Sequence, residues 1–299
     1  ARNSTIPRYA TVKAEIEDLK AYGEVYREII ERASGSPLAV FSARLRTWDV
    51  TTINPLLLRL WSSDMDGEEK QRSLDLLLSL IVRRAVCGLT SKNYNNLFLS
   101  VIADLEKKGW SYGNLRTYLV GLTSESGRFP QDAEFENAIA LKPLYNTLGS
   151  AKVRTLLSEI ELAKRGKKQE DKSLPDTLTV EHILPQSWRR YWPMTGDVQP
   201  TGAEFDQALL AVLEDDTAIG RIVRRNRIKH TLGNLTLVTP SFNSSVSNLA
   251  FDVKKKEFED QSILMLTKDF VKNSQWGEYE IATRGRTLFD VARQIWISP

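Results

Sequence analysis

Apolar residues along the first half of the chain recur at helical spacing. Val12, Ile16, Leu19, Tyr26, Ile29 and Ile30 mark one stripe. Leu74, Leu77, Leu78, Ile81 and Val82 mark a second, which Gly88 stops, and Leu97, Val101, Ile102 and Leu105 a third. Residues three and four apart share one face of a helix, so each stripe predicts a helix with one buried side. Shorter candidates run from Leu115 to Leu122, Ala133 to Leu141 and Val153 to Leu162. Alternating strand-like patterns are nearly absent here, and no repeat period is evident.

The pattern then breaks. Residues 164–176 are polar and charged and carry Pro175, which reads as a linker or exposed loop. Beyond it, Thr177-Leu178-Thr179-Val180 and Leu235-Thr236-Leu237-Val238-Thr239 are short β-prone runs. Residues 203–213, with Phe205, Leu209, Leu210 and Leu213, predict a small amphipathic helix. Pro240 stands where a helix can begin, and Thr287 to Trp296 predicts a closing helix. The expected fold is mainly α, a helical N-terminal region followed by an α+β domain. The expected layout is 1–163 helical, 164–176 linker, and 177–299 the mixed domain, with a helical insertion at 189–229 and a C-terminal helix.

Composition narrows the class. The chain has 299 residues, 41% hydrophobic and 26% charged, which suits a globular protein and excludes wholesale disorder. The longest nearly unbroken apolar run, Leu76 to Val82, is interrupted by Ser79 and falls far short of the ~20 residues of a membrane span. The first residues lack the apolar core of a signal peptide, so a cytoplasmic location is expected. The chain also opens without Met, which reads as a fragment of a longer protein. A single cysteine, Cys87, leaves no internal disulfide and no cysteine-based zinc site. The net charge of +3 is compatible with nucleic acid without requiring it.

The candidate chemistry lies in Val180-Glu181-His182-Ile183-Leu184-Pro185-Gln186-Ser187-Trp188. Here a carboxylate and an imidazole are neighbours at the end of a β-prone run. On a strand they point to opposite faces, whereas at a strand end or bend both can reach one cleft. Alone, such a pair is more often structural than catalytic. The second segment is Gly233-Asn234-Leu235-Thr236-Leu237-Val238-Thr239-Pro240-Ser241-Phe242-Asn243. His, Asn, Asn, in that order on strand, strand and helix, resembles the HNH (ββα-metal, His-Me finger) nuclease motif. The first segment is similar to its form in RNA-guided CRISPR effectors, except that they carry Asp where this chain has Glu181.

A narrower resemblance covers roughly residues 70–299. The chain is similar to the C-terminal nuclease half of GmrSD-type modification-dependent restriction enzymes, including the SspE-like phosphorothioation-dependent defence nucleases. Glu181 to Pro185, His230 to Leu237, Asn243, Ser247-Asn248, Phe251 with Lys254, and Trp276, Ile281, Arg284 and Leu288 carry that likeness. It implies a metal-dependent DNA endonuclease, nicking or double-strand cleaving, in antiviral defence. The metal, Mg²⁺ or another divalent ion such as Mn²⁺, falls to Glu181 and Asn243. Asn234 orients His182. A nucleotide-hydrolysing sensor domain is the implied partner, and no Gly-x-x-x-x-Gly-Lys-Ser/Thr phosphate loop occurs here to supply it.

These residue types suit the task. Phosphodiester hydrolysis needs an activated water, neutralised phosphate charge and help for the leaving oxygen. An imidazole such as that of His182 is fitted to be the general base. Two protein oxygens with waters and phosphate are a usual way to hold Mg²⁺. His230 reads as either structural or site-adjacent, and Lys254 as a solvated helix face or a phosphate contact. Arg221, Arg224, Arg225, Arg227 and Lys229 form a cationic run without an acid, a candidate contact for the backbone of double-stranded DNA. The rival functions are a DNA-binding module with an inactive or conditionally active nuclease core, and a nuclease acting on RNA.

Overall fold

The computed structural model describes residues 9–31, 35–165, 173–194, 199–242 and 249–299. It is mainly helical with one small sheet, and the chain divides into two compact units: 1–82 with 89–129 and 299, and 83–88 with 130–298. This division falls at 129/130, whereas the sequence places the break at the polar stretch 164–176. Residues 166–172 of that stretch lie outside the described residues.

The first unit holds α1 (Val12–Glu31), α2 (Pro37–Leu45), α3 (Asn54–Trp61), most of α4 (Gly67–Val86), α5 (Tyr94–Lys108) and α6 (Tyr112–Val120). Ser36 caps α2 by accepting from the Ala39 N–H at 3.1 Å, and Pro37 fixes the first turn. Leu74, Leu77, Leu78 and Ile81 of α4 are buried, as are Leu97, Val101 and Leu105 of α5, as the stripes predict. The α1 stripe behaves differently. Val12, Ile16, Leu19, Tyr26 and Ile30 are exposed, and Ile29 is the residue of this helix that the core takes in.

The second unit holds α7 (Asp132–Leu141), α8 (Leu144–Leu148), α9 (Ser150–Lys164), β1 (Thr179–His182), α10 (Gly202–Leu210), α11 (Ala218–Ile228), β2 (Leu235–Val238), α12 (Phe251–Gln261), α13 (Met265–Lys268) and α14 (Glu278–Ile295). Helix α14 begins nine residues before the Thr287 start that the apolar stripe predicts, because the Glu280 carboxylate caps the Gly277 N–H at 2.9 Å. It packs against α7, α9 and a 3₁₀ turn, Leu232–Asn234. Gly233 makes that packing possible: a Cβ there would lie 2.1 Å from the Ile281 carbonyl oxygen. Arg83, fully buried, donates to the carbonyls of Trp296 at 2.7 Å and Pro130 at 3.1 Å and to Asp132 at 2.7 Å. It therefore ties both ends of this unit together.

The two strands run antiparallel, with Thr179 opposite Val238, Glu181 opposite Thr236 and His182 opposite Leu235. Ile183, Leu184, Trp188, Trp192, Ile222, Phe258, Phe270, Trp276 and Ile281 form the core around them. Trp188 and Trp192 are buried and pack the segment between the two motif halves. At roughly 25 cal/mol per Å² of apolar surface, such large side chains carry most of the drive that holds this minimal sheet.

Candidate functional site

Beyond β1 the chain is fixed by Asn234. Its backbone carbonyl accepts from the Ile183 N–H at 2.9 Å, and its Oδ1 accepts from the Leu184 N–H at 2.8 Å. Its Nδ2 donates to the carbonyls of Leu184 at 2.9 Å and Lys229 at 2.8 Å. The Trp276 indole N–H, 3.0 Å away, completes the set on Oδ1. A fully buried amide with all these partners is a rigid clamp. Asn234 thus acts on the backbone just after His182 and makes no hydrogen bond to its ring. Arg284, also buried, donates to the carbonyls of Gly233 at 2.7 Å and Leu235 at 2.8 Å and secures the same turn from α14. Burial brings its guanidinium down to about 10.

The pleat sends the two motif side chains to different partners. The His182 ring, 4% exposed, has its Nε2 3.2 Å from Nδ1 of His230. The Tyr145 ring meets it edge-on, with centroids 4.7 Å apart. Burial, then the neighbouring His230, Lys254 and Lys229, push the His182 imidazole down to about 3. Burial, then Lys229, push His230 down to about 4. Both rings are therefore neutral at pH 7, the form that can take a proton.

Glu181 faces Lys254. The ammonium lies 2.5 Å from Glu181 Oε1 and 2.6 Å from the His182 carbonyl oxygen. Lys254 is fully buried, so it is neither a solvated helix face nor a phosphate contact. Burial pushes the Glu181 carboxyl up and the Lys254 ammonium down, and their mutual contact opposes both shifts. Nothing in the spacing of residue 254 foretells this pairing, since its partner lies 73 positions away. Tyr145 carries no signal either: it sits on α8, which spans five residues and is too short to show a period.

A model of the GmrSD restriction endonuclease C-terminal domain matches residues 129–291, more than half of the 299-residue chain. The chain belongs to this family. No curated protein matches it. The GmrSD match begins one residue before the second compact unit resumes at Pro130, so the family's domain and that unit nearly coincide. Membership makes the chain a restriction endonuclease domain, a hydrolase that acts on DNA. No helix among the described residues is long and apolar enough to cross a membrane.

The cationic run of this GmrSD domain departs from the sequence reading. Arg225 is 3% exposed and pairs with Glu278 at 2.6 Å, while donating to the carbonyls of Trp192 at 3.0 Å and Pro193 at 2.9 Å. It is a core residue, not a phosphate contact. Arg227 is held by Glu214, and Arg224 by the Glu214 carbonyl at 3.1 Å and Asp216 at 3.4 Å. Lys229 donates to the Gln186 carbonyl and to Asn226, both at 3.2 Å. The run has no acid within it, yet acids from 214–216 and 278 meet it in space. The physical reason is helical: α11 turns Arg225 inward and Arg224 and Arg227 toward the loop before it.

Among the described residues no group of three or more His, Cys, Asp and Glu could hold a metal ion. Asn243, Ser247 and Asn248 lie outside the described residues. The described donor set toward a cation is therefore the Glu181 carboxylate. A hard oxygen of this kind fits a Mg²⁺ ion that keeps waters and phosphate oxygens, and does not fit an ion caged by protein. The ammonium of Lys254 shares that carboxylate, so a divalent ion at Oε1 would compete with a positive charge already in place.

Proposed function

We propose that this GmrSD-family domain is an HNH-type, metal-dependent DNA endonuclease and the effector half of a modification-sensing restriction system. The observation that carries the reading is geometric: the His182 imidazole stands at the end of β1, on a backbone that Asn234 clamps at Ile183 and Leu184. In this reading His182 takes the proton of the water that attacks the scissile phosphorus. Asn234 keeps the Ile183–Leu184 backbone, and through it His182, from drifting during that step. Glu181 and Asn243 hold Mg²⁺ or a related ion, which when bound supplies charge neutralisation at the phosphate and the leaving oxygen. The sensor in this reading is a nucleotide-hydrolysing partner domain or subunit, as the resemblance to the family implies.

A second reading, a conditionally active core, draws on the Lys254–Glu181 pair and the deep burial of His182. Both features suit a site that opens only when DNA or a partner is bound. Cleavage of duplex DNA, single-stranded DNA and RNA, each with and without the partner domain, separates these readings. Duplex cutting that His182→Ala removes at an unchanged melting temperature supports the nuclease reading. Equal cutting by wild type and His182→Ala would sink it. Salt-sensitive duplex binding without cutting, turned into cutting by the partner, selects the conditional core.

A further inference from the structure

We propose that Tyr145 and His230 are positioning residues that hold the His182 ring in one orientation and one tautomer for hydrolysis. The inference rests on the reading of His182 as general base and deepens it. Three aromatic rings are packed together. Tyr145 and His230 are nearly parallel, 16° between planes with centroids 6.0 Å apart. His182 meets both steeply, at 74° to Tyr145 and 90° to His230. The Tyr145 backbone N–H donates to the His230 carbonyl at 3.1 Å, so the two walls are tied to each other. A rotation of the His182 ring about its Cα–Cβ bond breaks the contact with both.

The contact at Nε2 also assigns a direction to the proton. Neutral imidazole has one donor and one acceptor nitrogen. With Nε2 engaged by His230 Nδ1 at 3.2 Å, Nδ1 of His182 is the nitrogen left to take a proton from water. That demands Nε2–H on His182 and an acceptor Nδ1 on His230. When His182 becomes doubly protonated, Nε2–H continues to donate to His230, so the hydrogen bond survives the step. A neutral histidine here fills the place that a carboxylate or carbonyl takes in other bases oriented by a third group. Tyr145, edge-on to the ring, keeps water from that side.

The chain has two histidines, so ring spectra of the labelled, full 299-residue protein contain two imidazole systems, and His182→Ala assigns them. The expected wild-type signature for His182 is a single Nε2–H tautomer. His230→Ala and Tyr145→Ala mix the tautomers and lower kcat on duplex DNA about 100-fold, with KM unchanged, as expected for a misplaced reacting group. Tyr145→Phe keeps the ring and His230→Asn keeps an acceptor where Nδ1 stood, so each recovers most of the rate and the tautomer. Unaltered His182 tautomer and kcat in both alanine variants would overturn the proposal, as would an Nδ1–H tautomer in the wild type. If Tyr145→Ala fails to fold, the His230→Ala and His230→Asn pair decides. If the chain alone does not cut, the tautomer decides. Wild-type cutting by His182→Ala would instead refute the general-base reading beneath the proposal. Loss there with no effect at His230 refutes the positioning alone.

Discussion

Asn234 shows how much one side chain can carry. Replacing it by Ala leaves the Leu184 N–H and carbonyl and the Trp276 indole without partners in a buried place. Each unmet group costs about 1–3 kcal/mol, so Asn234→Ala should lose about 3 kcal/mol or more of stability, read as a lower urea midpoint. The histidines give a pH signature of their own. Their folded values of about 3 and about 4 lie below the usual 6.5, so the unfolded chain binds more protons between those limits. Stability from this pair is fully present above pH 6.5 and is lost as pH falls through about 4 toward about 3. The urea midpoint of wild type should drop over that window more steeply than that of His230→Asn. Equal slopes would contradict the burial of the pair. In the sequence, Glu181, His182 and Asn234 stand out because their order and neighbours resemble a motif, and the structure brings Asn234 onto the backbone that follows His182. Tyr145 carries no such pattern, and Lys254 stands out in the sequence only as a candidate phosphate contact, because its pairing with Glu181 spans 73 positions.

At the scale of elements, the long stripes of α4 and α5 and both β-prone runs were readable, since burial of one face imposes a period. The stripe of α1 has the same period but stays exposed, which shows that periodicity reports a helix and not its partner. The start of α14 was hidden because a Gly277–Glu280 cap, not hydrophobicity, sets it. The cationic run misled for a related reason: charge counted along a helix ignores which face turns inward. Arg225→Ala should therefore destabilise by about 3 kcal/mol, the cost of stranding Glu278 from its partner, and leave the salt dependence of DNA binding unchanged. A reduced salt slope at full stability would restore Arg225 as a phosphate contact. Gly233→Ala forces a Cβ against the Ile281 carbonyl and the Gly285 nitrogen, 2.9 Å away. Its expected cost is about 1–3 kcal/mol, with the His182 backbone displaced along with the turn. A melting temperature equal to wild type would show that α14 gives way freely.

For the whole molecule, the family match and the second compact unit describe nearly the same residues, 129–291 and 130–298. The polar stretch at 164–176 and this boundary differ because α7, α8 and α9 read simply as more helix, while α7 and α9 pack on α14 and α8 packs on α9. Within that packing, α8 places the Tyr145 ring against His182. The central claim is that this unit cuts duplex DNA through His182 with a divalent ion. The most direct measurement incubates supercoiled plasmid with the purified chain and Mg²⁺ or Mn²⁺, beside an EDTA control and His182→Ala. The account expects nicked circles that need the metal and vanish in the variant, with linear product if both strands are cut. Nicking that survives EDTA, or that His182→Ala performs at the wild-type rate, would contradict it.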